Sequence, residues 1–295
     1  MIEAEHEQAR QGSGEDFTDA VTFAFGDGEA ELYGMTRLGI APRADTMSAL
    51  AVVFSGREPV AVRARGDLAV DGAGWEDVEG AGLHIRVDEP LRHWSAAFAH
   101  DDAEFELSFT ALAPALEFGP DSAVARAGGM ESYEHLCHVE GWVTVAGQVT
   151  QLHCLGQRGH AWGNPDWNAL ERATSVSGWI GEDRAFVLQA ALPHNAPGHD
   201  AESVSLVSIE PGENGLEVLP AVDPRLSTTY DAAGHHRRAG LEYWLDEEGY
   251  ARRAAGEVVC GTTLELGRLR MDSAFFAWSL EGERGVGRYE VLRRA

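Results

Sequence analysis

The stretch that decides the fold reads Cys137-His138-Val139-Glu140-Gly141-Trp142-Val143-Thr144-Val145-Ala146-Gly147-Gln148-Val149-Thr150-Gln151-Leu152-His153-Cys154. Apolar and polar residues alternate on both sides of Ala146-Gly147, the period of a strand, a tight turn and a second strand. A two-residue turn there sets Val139 opposite Cys154, Glu140 opposite His153 and Trp142 opposite Gln151. One face of the hairpin then carries Cys137, Val139, Val143, Leu152 and Cys154. The other carries His138, Glu140, Trp142, Gln151 and His153. A slip of one residue exchanges the faces, so everything that follows hangs on this turn. The polar face has two readings: open solvent-facing sheet, the commoner outcome, or the lining of a cup-shaped cavity.

Similar short runs recur on both sides of this hairpin. Ala49–Ser55, Val60–Arg65, His84–Val87, Trp94–His100 and Glu104–Leu112 precede it. Ala173–Ile180, Ala185–Leu192, Ser203–Ile209, Leu241–Leu245, Ala255–Leu264, Ser273–Glu281 and Gly287–Leu292 follow. Turn signals such as Asp27-Gly28, Ser55-Gly56 and Asp71-Gly72 separate the early ones. The pattern predicts an all-β protein made of many short antiparallel strands. Glu117–Ser132, with Gly119-Pro120-Asp121 and Gly128-Gly129, breaks the period and reads as a connection. The expected organisation is a flexible tail over 1–20, a β domain over 21–125 and a second over 126–295. A short turn of helix is expected at Asn168–Thr174, with Pro165 at its entry.

Composition removes several function classes. The net charge is −25, so nucleic acid and anionic membrane surfaces are repelled. All 23 basic residues are arginine, which excludes a Schiff-base lysine and a phosphate-loop lysine. No apolar run approaches the length of an integral membrane segment, and the acidic start does not read as a signal peptide. Cys137, Cys154 and Cys260 lack CxxC spacing, which predicts free thiols and a cytoplasmic protein. Neither a nucleophile elbow, nor a dinucleotide fingerprint, nor HExxH is present, so no cofactor is expected. A metal is not expected either, although His138, His153 and Glu140, or His194, His199 and Asp200, are the residues from which one would be built.

What remains is acid–base chemistry in a pocket. Gln157-Arg158-Gly159-His160-Ala161-Trp162-Gly163-Asn164-Pro165-Asp166-Trp167 sets a histidine, a carboxylate, an arginine and two tryptophans side by side. Gly163 and Pro165 argue for a loop or strand end. A carboxyl group beside indole rings resists ionisation and can deliver a proton, and a histidine can take one back. His160 and Asp166 are therefore the expected catalytic pair. Trp162 and Trp167 offer apolar faces, and Arg158 offers an anchor for a carboxylate or enolate oxygen. His138, Glu140, Trp142 and His153 are further substrate-binding candidates on the preceding hairpin. The plainer alternative is a structural turn, with the tryptophans plugging a core and Asp166 capping an amide.

Tyr133-Glu134-His135, Val139-Glu140-Gly141-Trp142-Val143-Thr144-Val145 and Gly156–Trp167 together resemble the hydroxyneurosporene synthase (carotenoid hydratase) superfamily of tandem lipocalin-like proteins. Weaker agreement lies in Gly34-Met35-Thr36-Arg37-Leu38-Gly39, Pro90-Leu91-Arg92-His93-Trp94 and Gly285-Val286-Gly287-Arg288-Tyr289-Glu290. The resemblance covers most of residues 20–292. It implies two lipocalin-like antiparallel barrels or sandwiches packed side by side, with a ligand cavity near their junction. It also implies cofactor-independent hydration, cyclisation or isomerisation of a polyene, terpenoid or polyketide. Two positions depart from the superfamily's usual Arg-Asp-His-Ser-Trp-Gly-x-Arg-Asp-Trp: Gly159 replaces its aspartate and Pro165 its arginine. Loss of that aspartate leaves His160 or Asp166 to carry the acid role, or makes the protein a carrier or sensor of an apolar metabolite. In either case the expected partner is a lipophilic small molecule; a homodimer is left open.

Overall fold

A computed structural model describes residues 2–295 apart from Ser13, residues 71–73, Asp101, residues 199–200, Asn214 and Glu248. The Asp71-Gly72 turn and the His199-Asp200 pair thus lie outside the described residues. Strands β1 (Thr18–Asp27), β2 (Leu32–Ala41), β3 (Thr46–Ser55) and β4 (Glu58–Ala69) form one antiparallel meander. A second comprises β5 (Asp77–Gly80), β6 (Leu83–Glu89), β7 (His93–His100) and β8 (Ala103–Ala111). The long hairpin β10 (Met130–Val145) and β11 (Gln148–Gly163) joins them, because β11 pairs with β1 and β10 with β8. Short β9 (Leu116–Phe118) pairs with β10.

The resulting order is β4-β3-β2-β1-β11-β10-β8-β7-β6-β5. Chain neighbours β4 and β5 stand at opposite ends of it, so the sheet curls towards closure. A Cβ added at Gly80 of β5 would fall 2.5 Å from the Met47 side chain of β3. Inside sit Phe23, Phe25, Phe98, Phe105 and Phe109, with edge-on ring contacts such as Phe23–Phe109 at 4.9 Å. Each such side chain contributes about 1.5–3 kcal/mol on leaving water.

The second sheet has the order β15-β14-β13-β12-β20-β19-β18-β17-β16. Its strands are β12 (Leu170–Trp179), β13 (Ala185–Pro193), β14 (Ser203–Gly212), β15 (Gly215–Pro220), β16 (Val222–Tyr230), β17 (His236–Trp244), β18 (Arg252–Leu266), β19 (Leu269–Leu280) and β20 (Glu283–Arg294). Again chain neighbours end the order, and Ala221 N–H donates to the Leu206 carbonyl at 2.9 Å. Its core gathers Val176, Phe186, Leu188, Tyr243, Phe276, Trp278 and Tyr289. Both units are large antiparallel sheets that curl towards closure, so the all-β expectation holds.

Several sequence expectations need correction. The first compact unit is Met1–Glu117 with Met130–Pro165, and the second is Phe118–Gly129 with Asp166–Ala295. A division near residue 125 fails because β10 and β11 complete the first sheet, pairing with β8 and β1. The described residues before β1 are not a loose tail: Glu7 and Asp19 are buried, and β1 begins at Thr18. Of the two readings of Gln157–Gly163, loop or strand end, the second holds: it is the last half of β11, paired on both sides. No helix forms at Asn168–Thr174; a turn leads directly into β12. A short α-helix, α1 (Ala123–Gly128), lies in the expected connection, capped by Ser122 and ended by Gly129 at φ 69°. None of the helices among the described residues is long and apolar enough to cross a membrane.

Candidate active site

The hairpin register matches the sequence reading pair for pair, with Val139 opposite Cys154, Glu140 opposite His153 and Trp142 opposite Gln151. Both turn residues take positive φ, 50° at Ala146 and 81° at Gly147, as a twist-matched two-residue turn requires. Gly141 permits a close approach: a Cβ there would lie 2.1 Å from the Glu106 carbonyl oxygen of β8. This register turns Cys137, Val139, Val143 and Leu152 into the first core.

The same inward phase, continued towards residue 163, turns polar. Tyr133 and His135 of β10, Arg158, His160 and Trp162 of β11, and Asp19 of β1 follow the core residues of their strands at two-residue steps. Val21 and Tyr133 flank His160 in the register, and His135 lies opposite Arg158. A buried cluster results, in which His160 and Asp19 are both 0% exposed.

Within it, His160 Nε2 and Asp19 Oδ1 are 2.6 Å apart, and His160 Nδ1 is 3.2 Å from the Tyr133 hydroxyl. The other Asp19 oxygen accepts from Trp75 Nε1 at 2.9 Å and from the Arg10 backbone N–H at 2.7 Å. Each Asp19 oxygen thus has a hydrogen-bond partner, the condition for burying such a group. In the tautomer whose Nε2–H donates to Asp19, the neutral imidazole turns a lone pair on Nδ1 towards Tyr133. The single Tyr133 hydroxyl hydrogen has two acceptors to choose between, His160 Nδ1 and the His6 carbonyl oxygen, each at 3.2 Å.

Arg158, 1% exposed, donates through Nη2 to Glu7 Oε2 at 2.6 Å. Its guanidinium carbon lies 5.2 Å from the Trp94 ring centroid and 5.1 Å from that of Tyr133. Arg158 Nε, Arg158 Nη1 and His135 Nδ1 are buried without hydrogen-bond partners. Burial holds His160 below the usual histidine range, opposed by the Asp19 hydrogen bond and reinforced by Arg158. His135, buried beside the same cation, falls to about 3. Burial raises the Tyr133 phenol well above its ordinary value. For Arg158, burial disfavours the charge, but Tyr133, Glu7 and Glu134 outweigh it.

Of the residues picked from sequence, His160, Arg158 and Trp162 belong to this cluster; the Trp162 ring lies 5.2 Å from that of His160. Asp166 does not partner His160. It is exposed and its Oδ1 accepts the Asn168 and Ala169 N–H groups at 2.9 and 3.3 Å, capping the turn that also holds half-buried Trp167. The capping alternative was the correct one for Asp166, since the chain leaves the sheet at Asn164.

His138, Glu140, Trp142 and His153 are also corrected. They stand on the outward face of the hairpin, because Cys137, Val139 and Val143 occupy the inward phase. There Glu140 and His153 pair at 2.9 Å with side chains 64% and 68% exposed, and the His138 and His153 rings lie 5.0 Å apart. The potential ligand atoms of His138, Glu140 and His153 all fall within 4.8 Å of one another.

Sequence reading missed Asp19, Tyr133, His135, Glu7 and Trp75. A signal existed for Asp19, which begins the alternation Asp19-x-Val21-x-Phe23-x-Phe25 and so shares the core phase. Gly159 is informative in another way. A Cβ there would lie 2.2 Å from Glu134 Oε2, so the space beside β11 is filled by a carboxylate from β10. Glu134 is buried and accepts from Gln157 Nε2 at 2.7 Å.

The family described as Domain of unknown function (DUF7064) matches residues 2–295. The chain belongs to that family. No curated protein matches this DUF7064 chain in sequence. Solved structures do resemble it in fold. Kievitone hydratase from Nectria haematococca aligns with a TM-score of 0.64 at 13% identity, over 94% of this chain and 89% of that one. CghA aligns at 0.65 and 12%, over 95% and 89%. An AttH-like protein of Nitrosomonas europaea aligns at 0.63 and 12%, over 94% and 92%. The DUF7064 chain therefore has the tandem lipocalin-like fold that the sequence resemblance implied.

Proposed function

We propose that the first barrel is a cofactor-independent acid–base enzyme acting on a lipophilic small molecule. The reaction class is hydration, cyclisation or isomerisation at a double bond of a terpenoid, polyene or polyketide. The observation that carries this reading is the buried chain Tyr133–His160–Asp19 beside Arg158 and the rings of Trp75, Trp94 and Trp162. Neutral His160 is the base: its Nδ1 lone pair takes a proton from water or from a carbon acid. Asp19 stabilises the imidazolium that forms and keeps its orientation. Tyr133, within hydrogen-bond reach of Nδ1, gives its hydroxyl proton to the substrate and is reprotonated from the Nδ1–H. Arg158 stabilises negative charge developing on a substrate oxygen, in surroundings with little water to screen it. The fold shared with kievitone hydratase supports the reaction class.

Replacing His160 by Ala is expected to lower turnover of an enone or alkene substrate by about 10²–10⁴-fold, the usual worth of a positioned acid–base group. Product formation would be followed by mass spectrometry in variants whose circular dichroism is unchanged. Undiminished turnover by a folded His160→Ala protein would remove the proposal. A carrier is the second reading, favoured by the full enclosure of His160 and Asp19. It predicts a ligand released chemically unaltered from the wild-type protein.

A further inference from the structure

Arg158 is a cation built into the interior of a β-barrel and surrounded by aromatic rings. A guanidinium has five N–H donors, and its satisfied partner here is the carboxylate of Glu7. Arg158 Nε and Nη1 remain without acceptors in a place where unpaired donors are costly. The Glu7 carboxylate is met by further donors, Trp94 Nε1 at 3.4 Å on Oε2 and the Leu91 backbone N–H at 3.3 Å on Oε1. Donors from β11, β7 and the turn before β7 thus converge on one carboxylate position.

The carboxylate that fills this position comes from a segment outside both sheets. Ala4–Glu7 is a single 3₁₀ turn, closed by local bonds from His6 N–H to Glu3 and from Gln8 N–H to Glu5. Glu7 itself and the bond from Tyr133 to the His6 carbonyl fasten it to the barrel, and Arg10 follows with its N–H on Asp19. Lifting Ala4–Gln8 breaks no strand pairing. It would uncover Arg158, the Trp94 and Tyr133 rings around it, and the hydroxyl that touches His160.

We propose that Glu7 is the internal occupant of an anion site centred on Arg158, and that this site takes a lipophilic acid in its place. The ligand is a carboxylate or acidic enol carrying an aromatic or polyene body. Its charged group meets Arg158, Trp94 Nε1 and the Leu91 N–H, and its apolar body meets the surrounding rings. The chain's charge of −25 opposes anions at long range, so the apolar body must supply the attraction that a simple anion lacks. This deepens the enzymatic reading above and rests on it for the link to His160, but ligand exchange at Arg158 can be measured without turnover.

The test uses 1-naphthylacetate and its methyl ester as probes, with tryptophan fluorescence and calorimetry on the full chain. Glu7→Gln and Glu7→Ala proteins should bind the acid at least about tenfold more tightly than wild type, a free-energy change of about 1.4 kcal/mol. The ester should gain nothing. In the wild-type protein, saturating acid should speed amide hydrogen exchange in residues 4–10 while slowing it in β10 and β11. That measurement decides the matter if the variants fail to fold. Equal gains for acid and ester, no acid binding by any of the proteins at millimolar probe, or unchanged exchange in residues 4–10 at saturation would each overturn the proposal. Acid binding leaves this inference standing whether or not an enone or alkene substrate is turned over, so the two readings fail separately.

Discussion

Strand β11 carries two histidines, each paired with a carboxylate at nearly equal distance and in opposite circumstance. At one end His160 meets Asp19 at 2.6 Å with neither side chain exposed, while nearer the turn His153 meets Glu140 at 2.9 Å with both largely in solvent. Distance alone does not separate them; strand phase does. Residue 160 shares the inward phase of Cys154 and Leu152, whereas residue 153 points the other way. An inward imidazole keeps its proton count under the control of a few fixed groups.

Substitution of the carboxylates should expose the contrast most plainly. Asp19→Ala strands the Trp75 and Arg10 donors and unpairs His160, so a loss of about 3–5 kcal/mol is expected in urea denaturation. A loss below 1 kcal/mol would mean that the inner pair is no more structural than the outer one. Acid should act next. Burial lowers His160 and takes His135 from 6.5 to about 3, so the folded protein binds fewer protons than the unfolded chain below the ordinary histidine range. Their contribution is complete above that range and is lost as pH falls through it towards 3. A melting temperature that declines on acidification, less steeply in His135→Phe, is the expected result.

The turn offers a milder probe of the register that separates the faces. Ala146 takes φ 50°, which asparagine tolerates better, so Ala146→Asn should stabilise by about 0.5 kcal/mol in chemical denaturation. Smallest of all, Glu140→Gln should move stability by less than about 0.5 kcal/mol. A large effect there would show that the outward face is engaged in more than solvation.

Much of the fold was legible because strands announce themselves through alternation. Val139, Val143 and Leu152 in one phase, with Ala146-Gly147 between them, fixed the central hairpin without help from any other part of the chain. The site was half legible for the same reason. His160 and Arg158 stand in a dense motif, but their partners Asp19 and Glu7 lie 141 and 151 residues away. No local spacing reveals that β1 will lie against β11. Asp166 misled because it is near His160 in sequence, while the strand ends at Gly163 and the chain turns away. The Gly159 departure proved less empty than expected, since the adjacent strand places Glu134 against it.

The pairing of β1 with β11 also constrains how the molecule can be made. At about 5–20 residues per second, a ribosome that has released Thr18–Asp27 still needs several seconds or more to deliver Gln148–Gly163. Until then one edge of the first strand has no mate, and its Val21, Phe23 and Phe25 have no finished wall to close over them. The nascent protein must therefore hold an apolar ribbon in waiting. Its yield in a foreign host should depend on chaperones that shield such ribbons during synthesis.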